Sequence, residues 1–237
     1  MKRMVRWLPV WVLAAVVAGC SGAGGVSGVD PVEFPLHPSR AQDAARPASH
    51  WAAMVWTVSR PAAFLVGGQP NRGGPCVTGS GDRIGGGMLV FEGCSRAQGS
   101  YEGDVEVTPL SSSTTNPSNS ARYDIDVVDT VSSPTGMYRI TGATNLRLSE
   151  DTSTVRQVGS ARISEERSQI NVSTDLTYQL SSADAFPTGT LRASFPTLNN
   201  LAVQFVMTLD GTRSARVTVN GEPYMYDLET GVLTPDR

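Results

Sequence analysis

The sequence predicts a mainly β protein: an antiparallel meander of about ten strands, curled as a half-barrel or sandwich-like sheet, with one N-terminal helix before it. Three observations carry that expectation. From Tyr101 onward apolar and polar residues alternate with period two almost without a break. Asp210-Gly211 and Asn220-Gly221 stand between alternating runs, as hairpin turns do. Helical spacing is confined to an upstream stretch between Ser49 and Val66.

The chain opens with basic residues, Lys2, Arg3 and Arg6, then an apolar run from Trp7 that ends in Val17-Ala18-Gly19-Cys20. A basic start, a short apolar stretch and small residues before a cleavage point make a secretory signal, too short for a spanning helix. Residues 1–20 resemble the signal and lipobox of bacterial lipoproteins. That resemblance implies removal of residues 1–19 and acylation of Cys20 as the mature amino terminus, which would hold the protein on a membrane through its acyl chains. Ser21 after the cysteine implies, by the same resemblance, sorting to the outer membrane of the cell envelope.

Residues 20–48 read as a lipidated flexible tether, rich in Gly, Ala and Ser and broken by Pro31, Pro35, Pro38 and Pro47. Residues 49–237 then form a single β-rich domain, large enough to bury a core without a metal. Within it, Trp51, Met54, Val55 and Val58 have helical spacing, Ser49 is a candidate cap, and Arg60-Pro61 should kink or end the helix. Val55 to Val58 is equally β-prone, so a strand is the alternative. The tryptophans either anchor at a membrane interface or form the face that packs on the sheet.

Glycines crowd residues 67–87, but no Gly-Lys-Ser/Thr ending or following helix makes a phosphate-binding loop of them. Turns and bulges are expected there, beside a hairpin that joins Cys76–Thr78 to Met88–Cys94. With Cys20 assigned to lipid, Cys76 and Cys94 remain as an even pair in an exported chain, and a disulfide between them is expected.

The strands follow in order. Tyr101, Gly103, Val105 and Val107 face inward against Glu102, Asp104, Glu106 and Thr108; Tyr123, Ile125 and Val127 face inward against Arg122, Asp124 and Asp126. Ser111 to Ser120 is a polar loop. Tyr138, Ile140, Leu146 and Leu148 share a face, and Val155, Ala161 and Ile163 mark a weaker strand. Ile170, Val172, Leu176, Tyr178 and Leu180 form the clearest run, before Leu191, Ala193 and Phe195, and then a carboxy-terminal meander through Phe205, Met207, Val217 and Tyr226. An apolar face of this size needs cover, which the helix would supply. A transmembrane barrel would instead require apolar outward faces, with the Arg, Asp, Gln and Asn positions filling the lumen.

The 237-residue chain has a net charge of -3; without Lys2, Arg3 and Arg6 it holds 16 basic and 22 acidic residues, or -6. That acidic balance disfavours nucleic acid as a partner. No cofactor or metal is expected: the acids lack the looped Asp-x-Asp-x-Asp-Gly spacing of a calcium site, and the thiols lack a CxxC. Catalysis has little to draw on, because the two histidines, His37 and His50, lie upstream of the sheet. Asp124 with Asp126, and Glu102 with Asp104 and Glu106, come within glycosidase range along a strand, yet regular alternation makes them a solvated face. The expectation is a non-catalytic lipoprotein with a structural or protein-binding role. The alternative is a carrier or sensor holding a lipid or other apolar ligand in the concave sheet, and a carboxylate-based hydrolase is the third reading.

Overall fold

A computed structural model describes residues 42–69, 76–82, 86–111, 117–129, 136–165, 168–181, 186–196 and 202–236. The leader, Cys20 and residues 21–41 of the expected tether, His37 among them, lie outside the described residues, whereas residues 42–48 belong to the start of the folded domain. A 3-10 turn, Gln42–Ala44, leads into helix α1, Ala45–Val66. The sheet comprises β1 (Val77–Asp82), β2 (Gly86–Arg96), β3 (Gly99–Pro109), β4 (Ser118–Val128), β5 (Met137–Leu148) and β6 (Thr154–Glu165). It continues through β7 (Ser168–Gln179), β8 (Thr188–Pro196), β9 (Ala202–Asp210), β10 (Ser214–Val219), β11 (Glu222–Asp227) and β12 (Leu233–Pro235).

These twelve strands lie in one antiparallel sheet in sequence order, each beside its chain neighbours, and the sheet stays open and is not closed into a barrel. The expected inward residues are the buried ones: Tyr101, Tyr123, Ile125, Tyr178, Phe205 and Met207 are at most 1 % exposed. The outward face is polar, the reverse of a transmembrane barrel. Asn220-Gly221 makes the expected two-residue turn, with φ of 49° and 90°, so that Val219 pairs with Glu222.

Helix α1 fills the concave side. It touches β1 to β10 and β12, and Trp51, Met54, Phe64 and Leu65 are fully buried. The tryptophans pack inside the domain: Trp51 meets Phe195 of β8 edge-on with centroids 5.8 Å apart, and Trp56 stacks at 5.7 Å on Phe186, just before β8.

Two expectations about this helix are corrected. Ser49 is not a cap; the helix begins at Ala45, and Ser49 Oγ donates to the Ala45 carbonyl at 2.7 Å. Nor does Pro61 end the helix, which runs through it to Val66. An interior proline costs about 3 kcal/mol, whereas burying Phe64, Leu65 and Val66 contributes about 1.5–3 kcal/mol each, so packing prevails. Arg60 lies over Trp56 and Phe64, its guanidinium 6.0 and 5.6 Å from their ring centroids. The helix stops at Gly67-Gly68, where Gly68 takes φ 74° and Gln69 N–H donates to the Phe64 carbonyl at 2.8 Å.

Curvature has local causes. Gly103 in the middle of β3 and Gly189 near the start of β8 take φ 136° and 128°, where a Cβ would collide with the carbonyl oxygens of Asp124 and Asp175. Such glycines let adjacent strands coil tightly. In β2 the register shifts between Phe91 and Cys94, a bulge that bends the strand. Beside it the Cys76–Cys94 disulfide joins the start of β1 to β2, with Cα atoms 5.2 Å apart.

Candidate functional site

Helix α1 carries polar side chains that the sheet encloses, and they fall into two clusters. The first surrounds His50. This histidine sits in the first half of α1, and its Nε2 lies 3.1 Å from Asp129 Oδ2, just past the end of β4. Both are buried, with side-chain exposures of 7 % and 0 %. Asp129 is held in place by its own N–H, which donates to the Gly136 carbonyl at 2.9 Å.

Tyr101 and Tyr226 lie near the same carboxylate, and each phenol is raised above its ordinary range. Burial is the main cause for both, and the Asp129 charge adds to it; the Gln98 amide beside Tyr226 acts the other way and leaves its phenol at about 12. Gln98 also donates through Nε2 to the Leu228 carbonyl at 3.3 Å. Its amide therefore ties the β2–β3 turn to the end of β11, across the opening of the sheet.

The second cluster lies farther along the helix. Tyr178 Oη donates to Gln157 Oε1 at 3.1 Å, and Gln157 Nε2 donates to Tyr123 Oη at 2.9 Å and Thr144 Oγ1 at 3.0 Å. Tyr123 Oη and Thr144 Oγ1 are themselves 2.6 Å apart. Burial pushes the Tyr123 phenol up to about 12, and the neighbouring Thr144 and Ser59 hydroxyls act in the opposite direction. The same burial raises Tyr178 well above its usual value.

A histidine beside a carboxylate is the arrangement that orients a general base. The hydroxyls of α1 near these clusters are turned to their own backbone. Ser49 donates to Ala45, Thr57 to Ala53 and Ser59 to Val55, at 2.7, 2.9 and 2.6 Å. What the arrangement does directly is pin helix to sheet at two depths with groups that are costly to leave unpaired.

The carboxylates singled out from sequence lie on the outer face, with Glu102, Asp104, Glu106 and Asp126 exposed. Asp124 receives a two-pronged contact from Arg139 at 2.8 and 2.9 Å. Register places Glu102 opposite Asp126 and Asp104 opposite Asp124. No group of three or more His, Cys, Asp or Glu among the described residues is placed to hold a metal.

The sequence places His50 upstream of the sheet and gives it no partner, and it does not single out Asp129, Gln157 or Thr144. A signal existed, because the inward parity of Tyr123, Ile125 and Val127 continues to Asp129 and places an acid on the buried side. Gln157 and Thr144 likewise hold inward positions among apolar neighbours. Compared with known proteins, the chain matches no family model, no curated relative and no solved structure.

Proposed function

We propose that this is a non-catalytic lipoprotein of the bacterial cell envelope, anchored through Cys20, whose sheet serves a structural or protein-binding role. The observation that carries the reading is the occupancy of the concave face by the chain's own helix. Trp51, Met54, Phe64 and Leu65 fill the space that a lipid carrier would keep for its ligand. The polar outer face is then the surface left for contacts.

The anchor rests on Val17-Ala18-Gly19-Cys20 after the basic and apolar leader. Metabolic labelling with a palmitate analogue, followed by native mass spectrometry of the purified protein, tests both halves. The wild type should take up label and Cys20→Ala should not, and the mass should be that of the acylated chain alone. Equal labelling of both proteins removes the anchor. A co-purifying lipid that is not covalently attached replaces the scaffold reading with the carrier.

A further inference from the structure

The outer face of the sheet is divided by charge. On β2, β3 and β4 the outward positions hold Glu92, Glu102, Asp104, Glu106, Asp124 and Asp126, with Arg122 among them. On β5 to β8 they hold Arg139, Arg147, Arg156, Arg162 and Arg192, and the single acid among them, Asp175, is gripped by Arg156 at 2.9 Å, which leaves arginine in excess. The last strands are arranged differently. There the signs alternate and neutralise each other, Arg213 meeting Asp227 and Glu229 at 2.6 and 2.8 Å, and Arg216 approaching Asp236 at 3.6 Å.

Segregation has a cost that interleaving avoids. Glu102 faces Asp126, Asp104 faces Asp124, and Arg147 faces Arg156 directly across the ladder. Like charges at such positions are destabilising, and a surface needed only for solubility mixes its signs. Each field also has an exposed apolar centre: Met88, 41 % exposed, with Val90 beside it on the acidic face, and Val158, 42 % exposed, on the basic one. A shallow groove runs over the acidic centre, between Met88, Val90, Glu102 and Asp104. Where the fields meet, Arg139 of β5 grips Asp124 of β4 with both prongs. The chain thus displays within itself the contact that its two faces are suited to make.

We infer that the acidic face of β2–β4 binds the basic face of β5–β8 of a second copy of this chain. This deepens the protein-binding reading above by naming the partner, and it does not depend on acylation. The two faces are different patches of one molecule, so the contact is heterologous: each bound copy still offers a free acidic face and a free basic face, and assembly continues into rings or filaments.

The test is sedimentation velocity of the purified full chain in mild non-ionic detergent. The wild type should associate at low salt and dissociate at high salt, the apparent affinity falling by about tenfold or more as the charges are screened. Two variants decide the geometry. One reverses the acidic face (Glu102→Lys, Asp104→Lys, Asp126→Lys), the other the basic face (Arg156→Glu, Arg162→Glu, Arg192→Glu), and circular dichroism checks that each is folded. Each variant alone should be monomeric, and an equimolar mixture should associate, because each supplies the face the other repels.

A wild type that stays monomeric at low salt overturns the inference, whether or not its arginine face binds anionic vesicles. So does association that salt leaves unchanged, or a mixture of folded variants that remains monomeric. None of these results touches the labelling of Cys20, so failure here is distinguishable from failure of the lipoprotein reading.

Discussion

His50 Nε2 lies 3.1 Å from Asp129 Oδ2, and the pair joins the start of helix α1 to the end of β4 out of contact with water. Removing one member leaves the other buried without its counterpart. Asp129→Asn and His50→Leu should therefore each lower stability by about 1–3 kcal/mol in urea unfolding. The double variant should lose less than the sum, and strict additivity in the double-mutant cycle would show that the two do not interact.

Gln157 joins three buried hydroxyls in the second cluster, those of Tyr123, Thr144 and Tyr178. Replacing it by Leu leaves the Tyr178 hydroxyl without its acceptor and should cost about 1–3 kcal/mol. Tyr178→Phe removes the stranded group, and should be milder alone and partly restorative in the Gln157→Leu background. Thermal melts of the three variants would show that order, and a silent Gln157→Leu would remove the network from the account of stability.

Alkali should unfold the protein within a definite window. An ordinary phenol releases its proton near 10.0, whereas burial holds Tyr123 and Tyr226 to about 12 and raises Tyr101 and Tyr178 as well. Above pH 10 the folded state therefore binds more protons than the unfolded chain. The stability this contributes is complete below 10 and falls as the pH rises through 12. Phenolate absorbance should rise together with loss of the near-ultraviolet circular dichroism. Full ionisation with the signal intact would contradict the burial.

Cys76 and Cys94 close a loop with a sequence separation of 18 at the first edge of the sheet. The chain-entropy relation gives about 3 kcal/mol for a loop of that size. Replacing both by Ala should lower stability by that order. Non-reducing peptide mapping should find the two linked, and quantitative alkylation of both without reduction would refute the bond.

The strands were legible because one face is wet and the other dry, and a pleated chain writes that difference as alternation. Ile170 to Leu180 shows it most plainly, and Asp210-Gly211 and Asn220-Gly221 mark the reversals. Thr154–Glu165 looked weak for a reason that is now visible: Gln157 and Gly159 occupy inward positions, one for the hydrogen-bond network and one where a Cβ would stand 2.7 Å from the Thr144 Cα. Pro61 does not end the helix because its local propensity is outweighed by burial of Phe64 to Val66, which depends on strands far away in sequence. His50 and Asp129 escaped notice for the same cause. Nothing local to either residue records that the curl of twelve strands brings them together.

Because neighbours in the sheet are neighbours in the chain, each hairpin can form soon after its second strand is made, with little loop to close. Helix α1 is made before any of them, yet the last strands to cover it come at the far end of the chain. Residues such as Trp51, Met54 and Phe64 must therefore wait, uncovered, through the synthesis of nearly the whole domain. This stretch is accordingly where a nascent chain of this protein is most exposed to aggregation or to capture by a chaperone.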